Sequence, residues 1–314
     1  MTVDLLCMGE PMLEFNQLPP NPDGTRHYLQ GHGGDTSNAA IAAARQGARV
    51  GYITALGQDM PGDSFIRLWQ QEGVDTSTVL RTDKHQTGVY FVTHDAAGHH
   101  FLHYRTGSAA AMYTPSDLPR EAIAKAHILY VSGISQGISA SACDAVFAAI
   151  DVAVRNGVKV AYDTNYRPRL WPPARAAAVM HAAIAKADYA FPGEEDVRTL
   201  TGLTDPDAML DFYLRLGSKL VVLKMGETGA YLATADARVR IPPHKVQAVD
   251  ATGAGDTFCG SFLARILAGD DPPAAARYAS VAAALKCTGY GAVGPIPRPA
   301  DVWATLDRSA AGRG

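Results

Sequence analysis

The 314-residue chain is expected to fold as an α/β protein, with a mostly parallel central sheet, helices on both faces, and a small β-sheet lid outside that core. Three observations carry this expectation. From Ala126 onward, short apolar runs alternate with stretches of helical length, the pattern of strands covered on both faces. Between Thr87 and Arg105 polar and apolar residues alternate around Asp95-Ala96-Ala97-Gly98, the mark of an antiparallel hairpin. Finally, Ala248-Val249-Asp250-Ala251-Thr252-Gly253-Ala254-Gly255-Asp256-Thr257-Phe258 leads apolar residues through an acid and a glycine turn into a second acid that opens a helical run.

Composition sets the outer bounds. With 47% hydrophobic residues, the chain can bury a large core. A net charge of −3, a pI near 6.4 and scattered Lys and Arg argue against nucleic acid or an anionic membrane as the main partner. Cys7, Cys143, Cys259 and Cys287 form no CxxC pair, the usage of reduced thiols. No apolar run reaches membrane-spanning length and Met1–Asp4 has no leader-like character, so a cytoplasmic protein is expected. No repeat, linker or composition break divides residues 1–314, so one domain is expected, its lid formed by about 11–35 and 85–110.

Taken in order, Val3–Glu10 reads as a buried first strand. Its Gly9-Glu10-Pro11-Met12 ending excludes the glycine fingerprint of a dinucleotide-binding fold. Leu13–Gln30 reads as short edge strands and loops, the lid's first half. Gly31-His32-Gly33-Gly34-Asp35-Thr36-Ser37-Asn38 then opens an Ala-rich helix ending at Gly47, with Thr36 or Ser37 as its cap. This stretch is either a plain capped helix or a polyol site, in which the amides of Gly33 and Gly34 and the side chains of Asp35 and Asn38 face hydroxyls. Arg49–Leu56 is a strand, and a helix follows through Trp69. The hairpin of Thr87–Thr93 and His100–Arg105 completes the lid. His99 and His103 sit too far apart along a strand to chelate, so no metal site is expected there. Strands are expected at His127–Ser132, Val158–Asn165, Asp188–Phe191 and Leu220–Met225. Helices are expected at Ala140–Asn156, Ala174–Lys186, Glu194–Thr201 and Pro206–Leu216.

Ligands of such a sheet belong at the carboxyl ends of its strands. Two marked segments fall there: Asp163-Thr164-Asn165-Tyr166-Arg167 and Lys224-Met225-Gly226-Glu227-Thr228-Gly229. Arg167 offers a planar fork to a carboxylate or phosphate, or pairs with Asp163 across the turn. Lys224 with the Gly226/Gly229 turn suits nucleotide phosphates, although glycines between strands are common. In the Gly253–Asp256 segment, glycine-flanked amides at a helix N-terminus suit phosphate. A carboxylate beside such a cradle opposes binding alone, but makes sense as a general base for an attacking hydroxyl. The bland alternative is a glycine turn with Asp256 as N-cap.

Together, Gly33-Gly34-x-x-x-Asn38-x-Ala40, Gly57-x-Asp59-x-x-Gly62, Lys224-x-Gly226-x-x-Gly229 and Asp250-x-x-Gly253-Ala254-Gly255-Asp256 resemble the ribokinase-like (PfkB-type) carbohydrate kinases over nearly the whole chain. Within that family, Gly33–Asn38, Tyr104-Arg105-Thr106-Gly107-Ser108-Ala109-Ala110 and Asn165-Tyr166-Arg167-Pro168-x-Leu170-Trp171 are similar to the 2-keto-3-deoxygluconate kinases. The resemblance implies a ribokinase-like three-layer fold, ATP with Mg²⁺ and a monovalent cation, and a homo-oligomer paired through its lids. It implies Asp256 as base and the amides of Gly253, Ala254 and Gly255 as anion hole. Asn165, Arg167, Lys224, Gly226, Glu227 and Gly229 then serve the nucleotide. Gly33, Gly34, Asp35, Asn38, Tyr90, Tyr104, Arg105, Asn165 and Arg167 serve the sugar. Arg105 and Arg167 would bracket the carboxylate of a sugar acid, with Tyr90 and Tyr104 forming a wall. Two positions depart from the family. Gly193-Glu194-Glu195-Asp196 lacks the family's Asn-x-x-Glu, leaving Glu195 and Asp196 to reach magnesium through water, and Ala251 replaces a hydroxyl residue. A kinase of fructose, ribose or a nucleoside, and a sugar-binding regulator that has lost catalysis, remain alternatives.

Overall fold

The structure, a computed structural model, describes residues 3–19, 21–95 and 98–311. The first half contains Leu5–Met8 (β1), Met12–Gln17 (β2), Tyr28–Gly33 (β3), Asp35–Arg45 (α1), Val50–Gly57 (β4), Met60–Gln71 (α2), Val79–Thr82 (β5), Val89–Asp95 (β6) and Gly98–Tyr104 (β7). Alternation then sets in: Arg120–Lys125 (α3), Ile128–Ser132 (β8), Gly133–Gly137 (α4), Ala140–Arg155 (α5), Lys159–Asp163 (β9), Pro173–Ile184 (α6), Tyr189–Phe191 (β10), Glu194–Thr201 (α7), Pro206–Leu216 (α8) and Leu220–Lys224 (β11). The chain ends with Ala230–Ala233 (β12), Arg238–Ile241 (β13), Ala254–Leu267 (α9), Pro272–Lys286 (α10) and Pro299–Ala311 (α11).

The main sheet has the order β13-β12-β11-β10-β9-β8-β1-β4-β5. Every pairing from β11 to β5 is parallel, and only the β12 and β13 edge is antiparallel. Successive residues of β1 show why its sequence is wholly apolar. Leu6 and Met8 enter one core with Val131, Tyr162, Val146 and Met180, while Leu5 and Cys7 enter the other with Tyr130, Ile41, Phe258 and Phe262. A strand with helices on both faces has no polar side. The expected three-layer α/β fold is therefore present. Among the described residues no helix is long and apolar enough to cross a membrane.

A second sheet, β3-β2-β6-β7, stands apart from the first. It is built from the two stretches expected to form a lid. Its tip at Ala96–Ala97, and the side chain of His99, lie outside the described residues. Pairing within this sheet is regular, with Tyr90 opposite Glu14 on one side and His103 on the other. Side chains directly opposite one another share a face. One face thus carries Glu14, Gly31, Gly33, Tyr90 and His103, and the other carries Phe15, Tyr28, Phe91 and Tyr104. Rings on the second face meet at 5.2 Å (Phe15–Phe91), 5.7 Å (Tyr28–Phe91) and 6.0 Å (Phe91–Tyr104).

Three local expectations need correction. Neither Thr36 nor Ser37 caps α1, because the helix starts earlier with Gly34 as N-cap. Thr36 instead shares a hydrogen bond with the Tyr52 hydroxyl (2.7 Å), and Ser37 accepts from Trp69 Nε1 (3.0 Å). Nor is Asp256 an N-cap. Gly253, at φ 77°, holds that position in the left-handed conformation glycine adopts without cost, and Asp256 lies inside the first turn. The edge strand β5, partly polar and only half-buried, escaped a search for apolar runs.

Candidate active site

Helices α1 and α9 cross closely, and this crossing builds the site. A Cβ on Gly260 would collide with the carbonyl of Ala39, so only glycine permits the approach. One turn earlier on α9 the approach sets Asn38 beside Asp256, and Asn38 Nδ2 donates to Asp256 Oδ2 at 2.8 Å. From the carboxyl end of β9, Asn165 reaches across and donates to Asp35 Oδ2 at 2.9 Å. Asn165 adopts φ 34°, a region non-glycine residues rarely visit and one that recurs at functional sites. From β11, Lys224 Nζ donates to both oxygens of Asp163, each at 2.7 Å. The expected residues Asp35, Asn38, Asn165, Lys224 and Asp256 are therefore brought together.

Charge is unbalanced here. Asp35, Asp163 and Asp256 are buried near one another, with the half-buried Lys224 as the cation bound to Asp163. Burial, then the charges of Asp35 and Asp163, push the Asp256 carboxyl up to about 7, against the pull of Asn38 and Lys224. Burial also raises Asp35, with the charge of Asp163 adding to it. For Lys224 burial opposes the charge, but Asp163, Cys259 and Asp196 outweigh it and keep the ammonium above its ordinary value. Two buried acceptors, Asp35 Oδ1 and Asn38 Oδ1, have no partner among the described residues. Unpaired buried acceptors are costly, and the hydroxyls of a polyol would satisfy them.

The N-terminus of α9 supplies donors. Among the described residues the amides of Gly253, Gly255 and Asp256 have no acceptor, whereas Ala254 N–H is spent on the carbonyl of Ala251 (3.1 Å). The uncommitted amides are thus those of Gly253, Gly255 and Asp256, rather than the expected Gly253, Ala254 and Gly255. Lys224 Nζ lies 3.5 Å from where a Cβ on Gly255 would stand, so its charge sits directly behind the cradle. Gly226, Glu227 and Gly229 form the turn after β11, with Glu227 exposed.

The sugar-side residues divide. Gly33 and Gly34 join β3 to α1, and a Cβ on Gly33 would meet the Tyr90 hydroxyl at 2.5 Å. Tyr90 donates to Glu14 Oε2, and burial, then Glu14, raise its hydroxyl so that it stays neutral. Tyr104 does not join this wall. The two-residue period of β7 puts it on the opposite face, 59% exposed. His103 takes the place beside Tyr90, its ring stacked at 5.5 Å, and burial followed by the charges of Arg105 and Arg169 draws it down to about 4. Arg105 is committed: its Nε donates to Glu10 Oε2 at 2.8 Å, and its NH2 reaches the same oxygen. Ser108 holds the other Glu10 oxygen at 3.1 Å. Arg167 is exposed, its NH1 donating to the Tyr166 carbonyl at 2.9 Å. Among the described residues it has no carboxylate partner, so the alternative pairing with Asp163 is not formed; Asp163 binds Lys224 instead.

Asp196 Oδ2 accepts from Thr164 Oγ1 (2.7 Å) and from the Tyr166 amide (3.1 Å), and burial raises its carboxyl. Glu195 is exposed. Among the described residues no group of three or more His, Cys, Asp or Glu could cage a metal. Glu10, Glu14, His103 and Gly260 are the site residues that sequence reasoning missed. Glu14 had a visible signal, a lone acid amid the apolar residues of Met12-Leu13-Glu14-Phe15.

Comparison with known proteins identifies the family. The model of the pfkB family carbohydrate kinases matches residues 3–299. A 2-dehydro-3-deoxygluconokinase of Thermoproteus tenax is 33% identical, over 95% of this chain and 92% of that protein. One of Bacillus subtilis (strain 168) is 31% identical, over 95% and 93%. A solved fructokinase with bound ATP from Xylella fastidiosa superposes with a TM-score of 0.89 at 26% identity, covering 99% of this chain and 100% of that one. With a family model spanning nearly its whole length and the signature acid seated at the head of α9, this chain belongs to the pfkB family of carbohydrate kinases.

Proposed function

We propose that this carbohydrate kinase transfers the terminal phosphoryl group of ATP to the terminal hydroxyl of 2-keto-3-deoxygluconate. The observation that carries the reading is Asp256, a buried carboxylate pushed up to about 7 beside uncommitted helix N-terminal amides. A base poised near neutral pH accepts a hydroxyl proton and releases it afterwards. Similarity to the two 2-dehydro-3-deoxygluconokinases supports the sugar, and the ATP-bound fructokinase supports the donor.

In this reading Asp256 takes the proton as the hydroxyl oxygen attacks the terminal phosphorus in line. The bond from that phosphorus to the bridging oxygen of the β-phosphate breaks, and ADP leaves with that oxygen. The amides of Gly253, Gly255 and Asp256 hold the transferring group, and Lys224 offsets charge from behind. Positioning and electrostatics carry the rate. Asp35 Oδ1 and Asn38 Oδ1 accept from sugar hydroxyls, and Arg167 takes the carboxylate. The second sheet covers the sugar as a lid with its Glu14–Tyr90–His103 face, and water is excluded. Magnesium supplies charge neutralisation on the polyphosphate. Exposed Glu195, and Asp196 turned onto Thr164 and Tyr166, are the acids that would help hold a magnesium ion brought by the nucleotide.

The opposite face of the lid, with Tyr28 (39% exposed), Leu102 (54%) and Tyr104 (59%), is the surface through which two copies would pair. Four free thiols fit a cytoplasmic setting. A fructokinase is the second reading, favoured by Arg105 being spent on Glu10, which leaves Arg167 alone to recognise an acid. An ADP-release assay over 2-keto-3-deoxygluconate, fructose, ribose and nucleosides tests the proposal. Highest kcat/KM on the sugar acid is expected; preference for fructose or ribose would overturn the substrate, and ADP release with none of them the kinase reading.

A further inference from the structure

One buried cation has no part in the chemistry above. Lys286, the last residue of α10, has 0% relative exposure, and its Nζ donates to the carbonyl of Asp250 at 2.7 Å. Asp250 opens the segment that becomes the phosphate cradle. Its carboxylate accepts from the Thr252 amide through Oδ1 and the Gly291 amide through Oδ2, both at 2.8 Å. The amides of Val249 and Asp250 both donate to the carbonyl of Cys287, at 2.7 and 3.1 Å. The segment leading into the cradle is thus docked on the carboxyl end of α10, with a lysine ammonium as the positive charge at the junction. A helix carboxyl end favours a cation, and the charges of Asp250, Asp256 and Glu14 oppose the loss of its proton, although burial is the larger influence and lowers it.

We propose that Lys286 is a positioning residue: its ammonium is a built-in cation that clamps the Asp250–Gly255 segment in its phosphate-receiving form, so that turnover requires no soluble monovalent cation. A carbonyl already bound by an ammonium at 2.7 Å has less to offer a potassium or sodium ion. This rests on the kinase reading but not on the identity of the sugar, and one arm of its test needs no turnover at all.

The test compares wild type, Lys286→Met and Lys286→Ala in potassium, sodium, ammonium and tetramethylammonium chloride at equal ionic strength. Wild-type kcat, on whichever sugar the panel selects, is expected to vary less than about twofold among the salts. Lys286→Met should keep its sugar KM within about threefold while kcat falls ~10- to 100-fold, the scale of a misplaced reacting group. Lys286→Ala, with space where the side chain was, should regain kcat in potassium or ammonium but not in tetramethylammonium. Amide hydrogen exchange without ligand is the second arm: residues 249–256 should lose protection ~10-fold or more in Lys286→Met while α1 is unchanged. Wild type that needs potassium, Lys286→Met with full kcat in any of the salts, Lys286→Ala with full kcat in tetramethylammonium, or exchange at 249–256 unaltered by Lys286→Met would each overturn the proposal. An inactive wild type whose exchange responds as expected would count against the kinase reading and leave the clamp supported.

Discussion

The head of α9 and the four-stranded sheet are built to opposite designs. At α9 the polar groups are buried and crowded. Asp35 and Asp256 crowd the Lys224–Asp163 pair, two acceptors go unpaired among the described residues, and Asn165 holds a left-handed backbone. Elements fixed by the core of a parallel sheet impose these tensions. Beside the second sheet Arg105 pairs with Glu10, within it the neutral Tyr90 hydroxyl donates to Glu14, and one face is left apolar and exposed. Polar crowding is thus concentrated at the proposed catalytic acid, while the sheet proposed as a lid has its polar groups paired. The same contrast separates the two arginines expected to act together: Arg105 holds structure, and Arg167 is left for a ligand.

Substitutions can break this contrast, and the largest effect is expected at α9. Asp256→Asn should lower turnover ~10²- to 10⁴-fold while leaving nucleotide and sugar binding near normal by calorimetry. Near-normal turnover would remove Asp256 from catalysis. The same substitution should stabilise the free protein. With its folded pKa raised to about 7 from an ordinary value of 3.8, Asp256 costs nothing below 3.8, and the cost grows with pH until the group is ionised above 7. Asp256→Asn should therefore gain ~1–3 kcal/mol at pH 8 and almost nothing at pH 4, read by denaturant melts at both.

Arg105→Ala should act in the opposite way, because it leaves Glu10 buried without its cation. A loss of ~2–4 kcal/mol in stability is expected, and a melting temperature equal to wild type would show that the pair is not structural. Arg167→Ala, at an exposed position, should leave the melting temperature alone and raise the KM for the sugar acid ~10-fold with the KM for ATP unchanged. An effect on ATP alone would place Arg167 on the phosphate side. The smallest difference is expected within β7: His103→Ala should raise sugar KM by about threefold, and Tyr104→Ala should leave it within experimental error, since the strand period separates their faces. Equal effects in steady-state kinetics would mean that the register of this hairpin changes when sugar binds.

Much of the core was legible because its strands have no polar side. Glu194–Thr201 and Pro206–Leu216 match the observed helices residue for residue. The signature acid and its glycines were legible too, since a phosphate cradle needs both within a few residues. Pairings between distant positions were not. Nothing near Arg105 in sequence announces Glu10, and nothing near Lys224 announces Asp163. Tyr104 was placed on the sugar side by its chemistry and its nearness to Arg105, but in a strand the hairpin partner decides the face, and Tyr90 lies opposite His103. The expected N-caps of α1 failed because Thr36 and Ser37 were claimed by Tyr52 and Trp69, residues of a neighbouring strand and helix.

The central claim is that burial tunes Asp256 into a base for neutral pH, and the pH profile of wild-type kcat/KM for the preferred sugar tests it most directly. Only the ionised carboxylate can accept the proton, and His103, drawn down to about 4, stays neutral throughout the range. The account predicts a rise of about tenfold per pH unit up to about pH 7 and a plateau above it, with the rising limb absent from the residual activity of Asp256→Asn. A profile flat from about pH 5 to 9, or one that falls as pH rises through 7, would contradict it.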